Sequence, residues 1–275
     1  AITLQQLGAK DRLADQQGAA HAEPLRSLPG EDKGEPRRRP DRSATDSQAA
    51  GRNTGRVEIT VRGSLSVTGT AGSPVTITGA SASAGSWYGL VVDTTATLAR
   101  LENVAISYPI YGVLYANPND VLAGTGVTVT SASTAGLYAV DGNASLEAFA
   151  VIGNGTTTNG VLVGATGSAA LTNCIIRNAG SYGARFEPTL AGRTLSLTNC
   201  TLNSNGSHGV STAATSGAAG TVTVTNSIIT NQSWGVVRGD ASTVTVTYSD
   251  VWSNTSGNYS SVTPGAGVIS SNPLY

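Results

Sequence analysis

From Val57 onward, a glycine followed by apolar residues returns at a nearly fixed interval. Its positions are Gly89, Gly112, Gly136, Gly160, Gly183, Gly209 and Gly235, with spacings of 23, 24, 24, 23, 26 and 26 residues. A period of this length marks a solenoid, because one such unit cannot bury its apolar face alone and must stack on copies of itself. Inside the units apolar and polar residues alternate, as in Val57-Glu58-Ile59-Thr60-Val61 and Val75-Thr76-Ile77-Thr78. That is the period of a strand. Gly63, Gly69 and Gly72-Ser73-Pro74 mark turns between them. A second strand then leads to an Asn or its equivalent and a third follows. The clearest cases are Leu171-Thr172-Asn173-Cys174-Ile175-Ile176, Leu197-Thr198-Asn199-Cys200-Thr201-Leu202 and Val224-Thr225-Asn226-Ser227-Ile228-Ile229. Three short strands and three turns make one coil, whose strands pair in parallel with the next coil at about 4.8 Å. A β-sandwich also has strands every 8–12 residues, but it predicts no constant longer period.

This arrangement fixes columns. Ile106, Ile176, Leu202, Ile229 and Trp252 are expected to stack inward, and Val222 and Val224 to lie between Leu195/Leu197 and Val244/Val246. Asn103, Asn173, Asn199 and Asn226 are expected to form an amide ladder at one turn, supplying hydrogen bonds the bend would otherwise lack. The composition agrees: charged residues are 12% and aromatics 5%, too few rings for a thick core but enough aliphatics for a thin one. The expected fold is all-β, a single-stranded parallel β-helix of about 8–9 coils of 23–26 residues over residues 57–275.

Residues 1–56 differ. They hold 10 of the 16 basic residues and include the run Pro29-Gly30-Glu31-Asp32-Lys33-Gly34-Glu35-Pro36-Arg37-Arg38-Arg39-Pro40. Such a segment buries too little apolar surface to offset its ordering entropy and reads as a disordered or linker-like segment. The interleaved acids argue against a nucleic-acid patch. The repeat region carries six Arg, no Lys and nine acids. The net charge of −1 therefore gives no indication of nucleic acid. No apolar run approaches the roughly 20 residues of a transmembrane helix. A monomer is expected, with a C-terminus that looks cut at Asn272-Pro273-Leu274-Tyr275.

The Gly-apolar starts, the Thr-Asn-Cys and Thr-Asn-Ser turns and the coil length resemble the right-handed parallel β-helix repeat proteins of the pectate-lyase-like superfamily. The tail, Tyr248-Ser249-Asp250-Val251-Trp252-Ser253-Asn254 through Pro264-Gly265 to Tyr275, resembles the C-terminal portion of bacterial surface β-helix proteins with a choice-of-anchor type module. The resemblance implies an exported or cell-surface protein that meets polysaccharide or cell-wall glycan.

Enzymes of that superfamily need concentrated charge: several carboxylates around Ca²⁺ with an Arg or Lys base for lyases, and paired carboxylates for hydrolases. Here the acids are scattered. The best cluster is Arg185, Glu187 and His208, with Arg177 and Arg193 nearby. It reads either as a base beside a sugar carboxylate or as a surface ion pair beside a turn histidine. The residues before the repeat glycines are Tyr88, Tyr111, Ala135, Asn159, Tyr182, His208 and Trp234, and they should align along one edge. With Tyr138 on the adjoining strand they offer rings for sugar stacking, or alternatively they seal the core edge. Outward positions on that strand would be Val91, Leu114, Tyr138, Leu162 and Arg185. Thr128/Thr130, Ser196/Thr198, Thr223/Thr225 and Thr245/Thr247 are expected outward in pairs, a Thr-x-Thr array that raises ice binding as a remote reading. Cys174 and Cys200 should face inward, stacked, as small hydrophobes or as a disulfide. No His/Cys cluster has metal-ligand spacing. The expectation is a non-catalytic polysaccharide-binding or display module that needs no cofactor, with ligand contacts at Tyr88, Tyr111, Tyr138, Tyr182 and Trp234. The alternative is a polysaccharide lyase or glycoside hydrolase with an atypical site, Ca²⁺ entering only for a lyase.

Overall fold

The computed structural model describes residues 2–3, 51–53, 55–214 and 217–274. All regular elements among them are strands, 21 in one continuous parallel sheet that winds into a solenoid. Each rung contributes to three faces. The first face begins with Glu58–Val61 and Trp87–Val92 and ends with Trp234–Arg238 and Gly257–Ser260. The second runs from Ser64–Thr68 to Thr194–Thr198, Thr221–Thr225 and Thr243–Thr247. The third runs from Val75–Thr78 to Ile175–Arg177, Thr201–Asn203, Ile228–Thr230 and Asp250–Trp252. In the middle the chain stays extended around corners, so that Pro109–Thr130 alone serves all three faces. From the first complete rung to the eighth it makes about seven turns. The expected disorder of residues 1–56 lies almost wholly outside the described residues. Within that stretch Ile2–Thr3 pairs in parallel with Val75–Thr78, and the Glu58 carboxylate accepts from the backbone N–H groups of Arg52 and Asn53 at 2.9 and 3.1 Å.

The inward third-face column is Ile77, Ile106, Val129, Val151, Ile176, Leu202, Ile229 and Val251, all buried. Val251, and not Trp252, takes the last place. Tyr248 occupies the left-handed corner position at φ 49°, so the strand begins one residue earlier than the Asn pattern suggests. A one-residue slip turns a strand side chain to the other face. Trp252 therefore points outward opposite Thr230. Leu195/Leu197, Val222/Val224 and Val244/Val246 stack as expected.

This column explains the repeat glycine. A Cβ at Gly136 would lie 2.5 Å from a Val151 methyl and one at Gly235 2.5 Å from a Val251 methyl. The strand passes so close to the third-face core side chain that only hydrogen fits. The Asn turn has an added cause. Asn103, Asn173, Asn199 and Asn226 all hold φ between 49 and 56°, the left-handed conformation that Asn tolerates best after Gly. The amide ladder is present as Asn199 Nδ2 donating to Asn173 Oδ1 at 3.2 Å, and Asn103 Nδ2 instead caps the Gly69 carbonyl at 3.1 Å. At the third-to-first corner the core becomes polar. Asn205, Gln232 and Asn254 are buried and stacked, each side chain bonding backbone groups of the rung before. Past the eighth rung the tail crosses the open end, where Gly265 N–H reaches Val246 O and Val268 packs on the core.

Candidate functional site

The first face carries the expected row of outward side chains. Tyr111, Ala135, Asn159, Tyr182, His208 and Trp234 are register partners in that order. They point outward because the glycine that follows each takes the inward place. Tyr88 joins the row one position out of step, since the pairing shifts between Gly89 and Leu90. The adjoining column Val91, Leu114, Tyr138, Leu162 and Arg185 is also in register. Val91 and Leu114 are nonetheless buried, because Tyr88, Tyr111 and Tyr138 fold over them as a second, external apolar cluster.

Two groups of rings result. In the first, the Tyr111 centroid is 5.5 Å from both Tyr88, edge to face, and Tyr138, tilted. Burial pushes all three phenols up in pKa, so they remain hydroxyl donors at neutral pH. In the second group Tyr182 and His208 stack in parallel at 5.1 Å, and the Arg185 guanidinium lies 4.3 Å from the Tyr182 centroid. Stacking along the solenoid axis turns the Tyr182 and His208 ring faces to one another and their edges outward. Two rings differ. A Cβ at Gly164 would sit 3.1 Å from the Tyr138 ring, and one at Gly257 would sit 2.6 Å from the Trp234 ring. Each of these half-buried rings reaches a glycine of the next rung, and Tyr138 also packs on Tyr111.

Arg185 forms an ion pair with Glu187 on the same strand, both about 70% covered. Burial and then Arg185 push His208 down in pKa, so its imidazole is neutral at pH 7, with Nδ1 2.9 Å from Ser207 Oγ. Arg193 lies in the next turn, its Nη1 donating to the Thr166 carbonyl at 3.2 Å, apart from that pair. Arg177 is on the third face.

The carboxylates do not converge on this cluster. Asp93, Asp141, Glu187 and Asp240 lie at the first-to-second corner on every second rung, about 10 Å apart along the axis. Asp93 is 3.5 Å from Arg52 and 3.6 Å from Arg62, and Asp141 accepts from Thr166 at 2.5 Å. Asp250 belongs to the third face, where it accepts from Ser271 N–H. Among the described residues no group of three or more His, Cys, Asp or Glu could hold a metal ion. Burial alone would raise Asp240. The backbone N–H groups of Ala214 and Ser242 and the Thr212 hydroxyl outweigh it and hold the carboxyl below its ordinary range. Asp240 therefore stabilises the fold above the unfolded carboxylate pKa of about 3.9, and that contribution is lost as pH falls through the lower folded value. Asp240→Asn is expected to flatten the fall of the thermal midpoint between pH 6 and pH 3, read by circular dichroism.

A groove of about 480 Å³ on the second face does not follow from the repeat pattern. Small residues Ala123, Gly124 and Ser145 line it together with Arg100, Glu102, Thr125, Leu146, Glu147 and Thr172. The signal was present as small outward residues flanked by charges in rungs two to four. The Thr array holds for Ser196/Thr198, Thr223/Thr225 and Thr245/Thr247, which are in register on the second face. Thr128 and Thr130 belong instead to the third face, opposite Ala150 and Ile152.

No curated protein and no solved structure matches the chain. The family model described as a right-handed β-helix region matches residues 63–219 and 159–274. The stacked rungs, the three faces and this match over most of the chain lead to one conclusion: the chain belongs to the right-handed β-helix family.

Proposed function

We propose that this β-helix is a non-catalytic polysaccharide-binding module of an exported or cell-surface protein, its glycan lying along the first face. One observation carries the reading. Tyr138 and Trp234 each reach over a glycine of the following rung, four rungs or roughly 19 Å apart, with the Tyr182–His208 stack and the Arg185–Glu187 pair between them. Two apolar ring surfaces flanking a strip of hydrogen-bonding groups suit a chain of sugars, whose rings offer C–H faces and hydroxyl rims. Tyr88 and Tyr111 extend the strip toward the first rung. Binding is favoured over catalysis by the positions of the acids: Glu187 is held by Arg185, and its neighbours along the corner lie two rungs away. The surface location rests on the resemblance of residues 248–275 to surface β-helix proteins.

A panel of neutral, uronic-acid and amino-sugar polymers, run by affinity electrophoresis, tests the proposal. At least one polymer is expected to retard the protein. Tyr138→Ala and Trp234→Ala should each weaken that interaction by about tenfold or more, since buried aromatic anchors contribute on the order of 2 kcal/mol. Glu147→Gln, in the second-face groove, should leave it unchanged. Retardation by none of the polymers would refute the proposal, and release of reducing or unsaturated sugars would replace it with catalysis.

A further inference from the structure

The chain has two cysteines, and they stack. Cys174 and Cys200 lie 26 positions apart, just after the left-handed Asn173 and Asn199, on adjacent rungs whose strands pair Ile175 with Thr201. Both are free thiols, 2% and 1% exposed. The column they occupy passes from apolar Phe149 below to Ser227 and Ser249 above. Each serine accepts from the N–H of the column residue one rung below, at 3.0 Å, and donates to the carbonyl two residues before itself. The thiols donate to the equivalent carbonyls, Thr172 O at 3.2 Å and Thr198 O at 3.3 Å. A serine would therefore serve in either place, as it does in the next two rungs, and packing alone gives no reason for two thiols in succession.

We infer that Cys174 and Cys200 are a modification site, joined by a disulfide that staples the fifth and sixth rungs when the chain folds in oxidising surroundings. Equivalent Cα atoms on parallel neighbours are about 4.8 Å apart, inside the roughly 4.4–6.8 Å range that disulfides span. Cβ atoms at the same spacing lie just beyond the roughly 3.5–4.5 Å of a disulfide, so closure needs one Cα–Cβ bond to tilt toward its neighbour at the corner. The co-reactant is a small-molecule disulfide. One cysteine thiolate attacks it, releasing one small thiol and leaving a mixed disulfide. The second cysteine thiolate displaces the other small thiol. The protein loses two electrons and two protons, and the co-reactant gains them as two thiols. Burial shields both sulfurs once the rungs have packed, so the bond forms during folding and then resists reduction.

The test refolds reduced, denatured full-length protein in a glutathione redox buffer. The product is acid-quenched, alkylated under denaturing conditions and examined by intact mass and peptide mapping. The expected product is a monomer that takes up no alkyl group, is two hydrogens lighter and yields a linked Cys174–Cys200 peptide. Its thermal midpoint should exceed that of the reduced protein by a few degrees, of the order expected for closing a loop of this size. Cys200→Ser should leave one alkylatable thiol. Protein exported to a bacterial periplasm and mapped without refolding gives the same readout if refolding fails. Folded monomer with both thiols alkylated, or carrying only glutathione adducts, overturns the inference.

Discussion

Replacing Gly136 with Ala is expected to lower stability by about 2–4 kcal/mol, a drop of roughly ten degrees in thermal midpoint. An added Cβ would sit 2.5 and 2.6 Å from the two Val151 methyls and 2.8 Å from the Gly160 carbonyl oxygen. Neither neighbour yields easily. Val151 is buried in the inward column between Val129 and Ile176, and the Gly160 carbonyl belongs to the next first-face strand. Relief must come from moving the rung, and the rungs on either side hold it. The double variant Gly136→Ala/Val151→Ala tests this cause. It loses core volume, which by itself costs stability. If the methyl clash dominates, however, the double variant should be no less stable than Gly136→Ala alone. Additive losses would show that the backbone approach to Gly160, and not Val151, excludes the side chain.

The same contact explains why the fold was legible from the sequence and the binding site only partly so. A solenoid writes its geometry once per rung, so the glycine at 23–26 residue intervals, the left-handed Asn and the inward aliphatics repeat with the coil. Trp252 falls outside the inward column because Tyr248 fills the corner where the pattern has Asn. The aromatic row was legible as a row, since register follows from the same period. Which rings reach over a neighbouring rung was not legible. That depends on a glycine in the following rung, Gly164 beneath Tyr138 and Gly257 beneath Trp234. Nor could alternation show that Val91 and Leu114, outward by parity, would be covered by tyrosines from neighbouring rungs. The buried Asn205–Gln232–Asn254 ladder escaped for a related reason. Its members fall in turns, where polar residues are ordinary, and only the stacking of rungs shows that these turns are interior.

That ladder supports the second large effect, a loss of about 1–4 kcal/mol for Gln232→Leu, read as the shift in urea midpoint. Gln232 is 3% exposed and works in two directions: Oε1 accepts from Asn205 N–H at 3.1 Å, and Nε2 donates to Leu202 O at 3.1 Å. Its own N–H is satisfied by Asn254 Oδ1 at 3.2 Å, a bond the substitution leaves in place. Leucine fits the volume but leaves the two backbone groups facing it buried and unpaired. An orphaned buried donor or acceptor costs on the order of 1–3 kcal/mol, more than the roughly 1 kcal/mol net worth of the bond itself. Apolar transfer offsets part of this, since leucine is the better core residue by about 1–2 kcal/mol. Gln232→Glu separates shape from donor chemistry. It keeps the acceptor toward Asn205 and removes the donor toward Leu202, and the buried negative charge of its ionised form is offset only by the Asn205 N–H. Its midpoint should therefore recover toward wild type as pH falls and the carboxyl becomes neutral, opposite in sign to the acid loss expected from Asp240. A urea midpoint for Gln232→Leu within experimental error of wild type would mean that the corner admits water, and that the ladder is not the seal between the third and first faces.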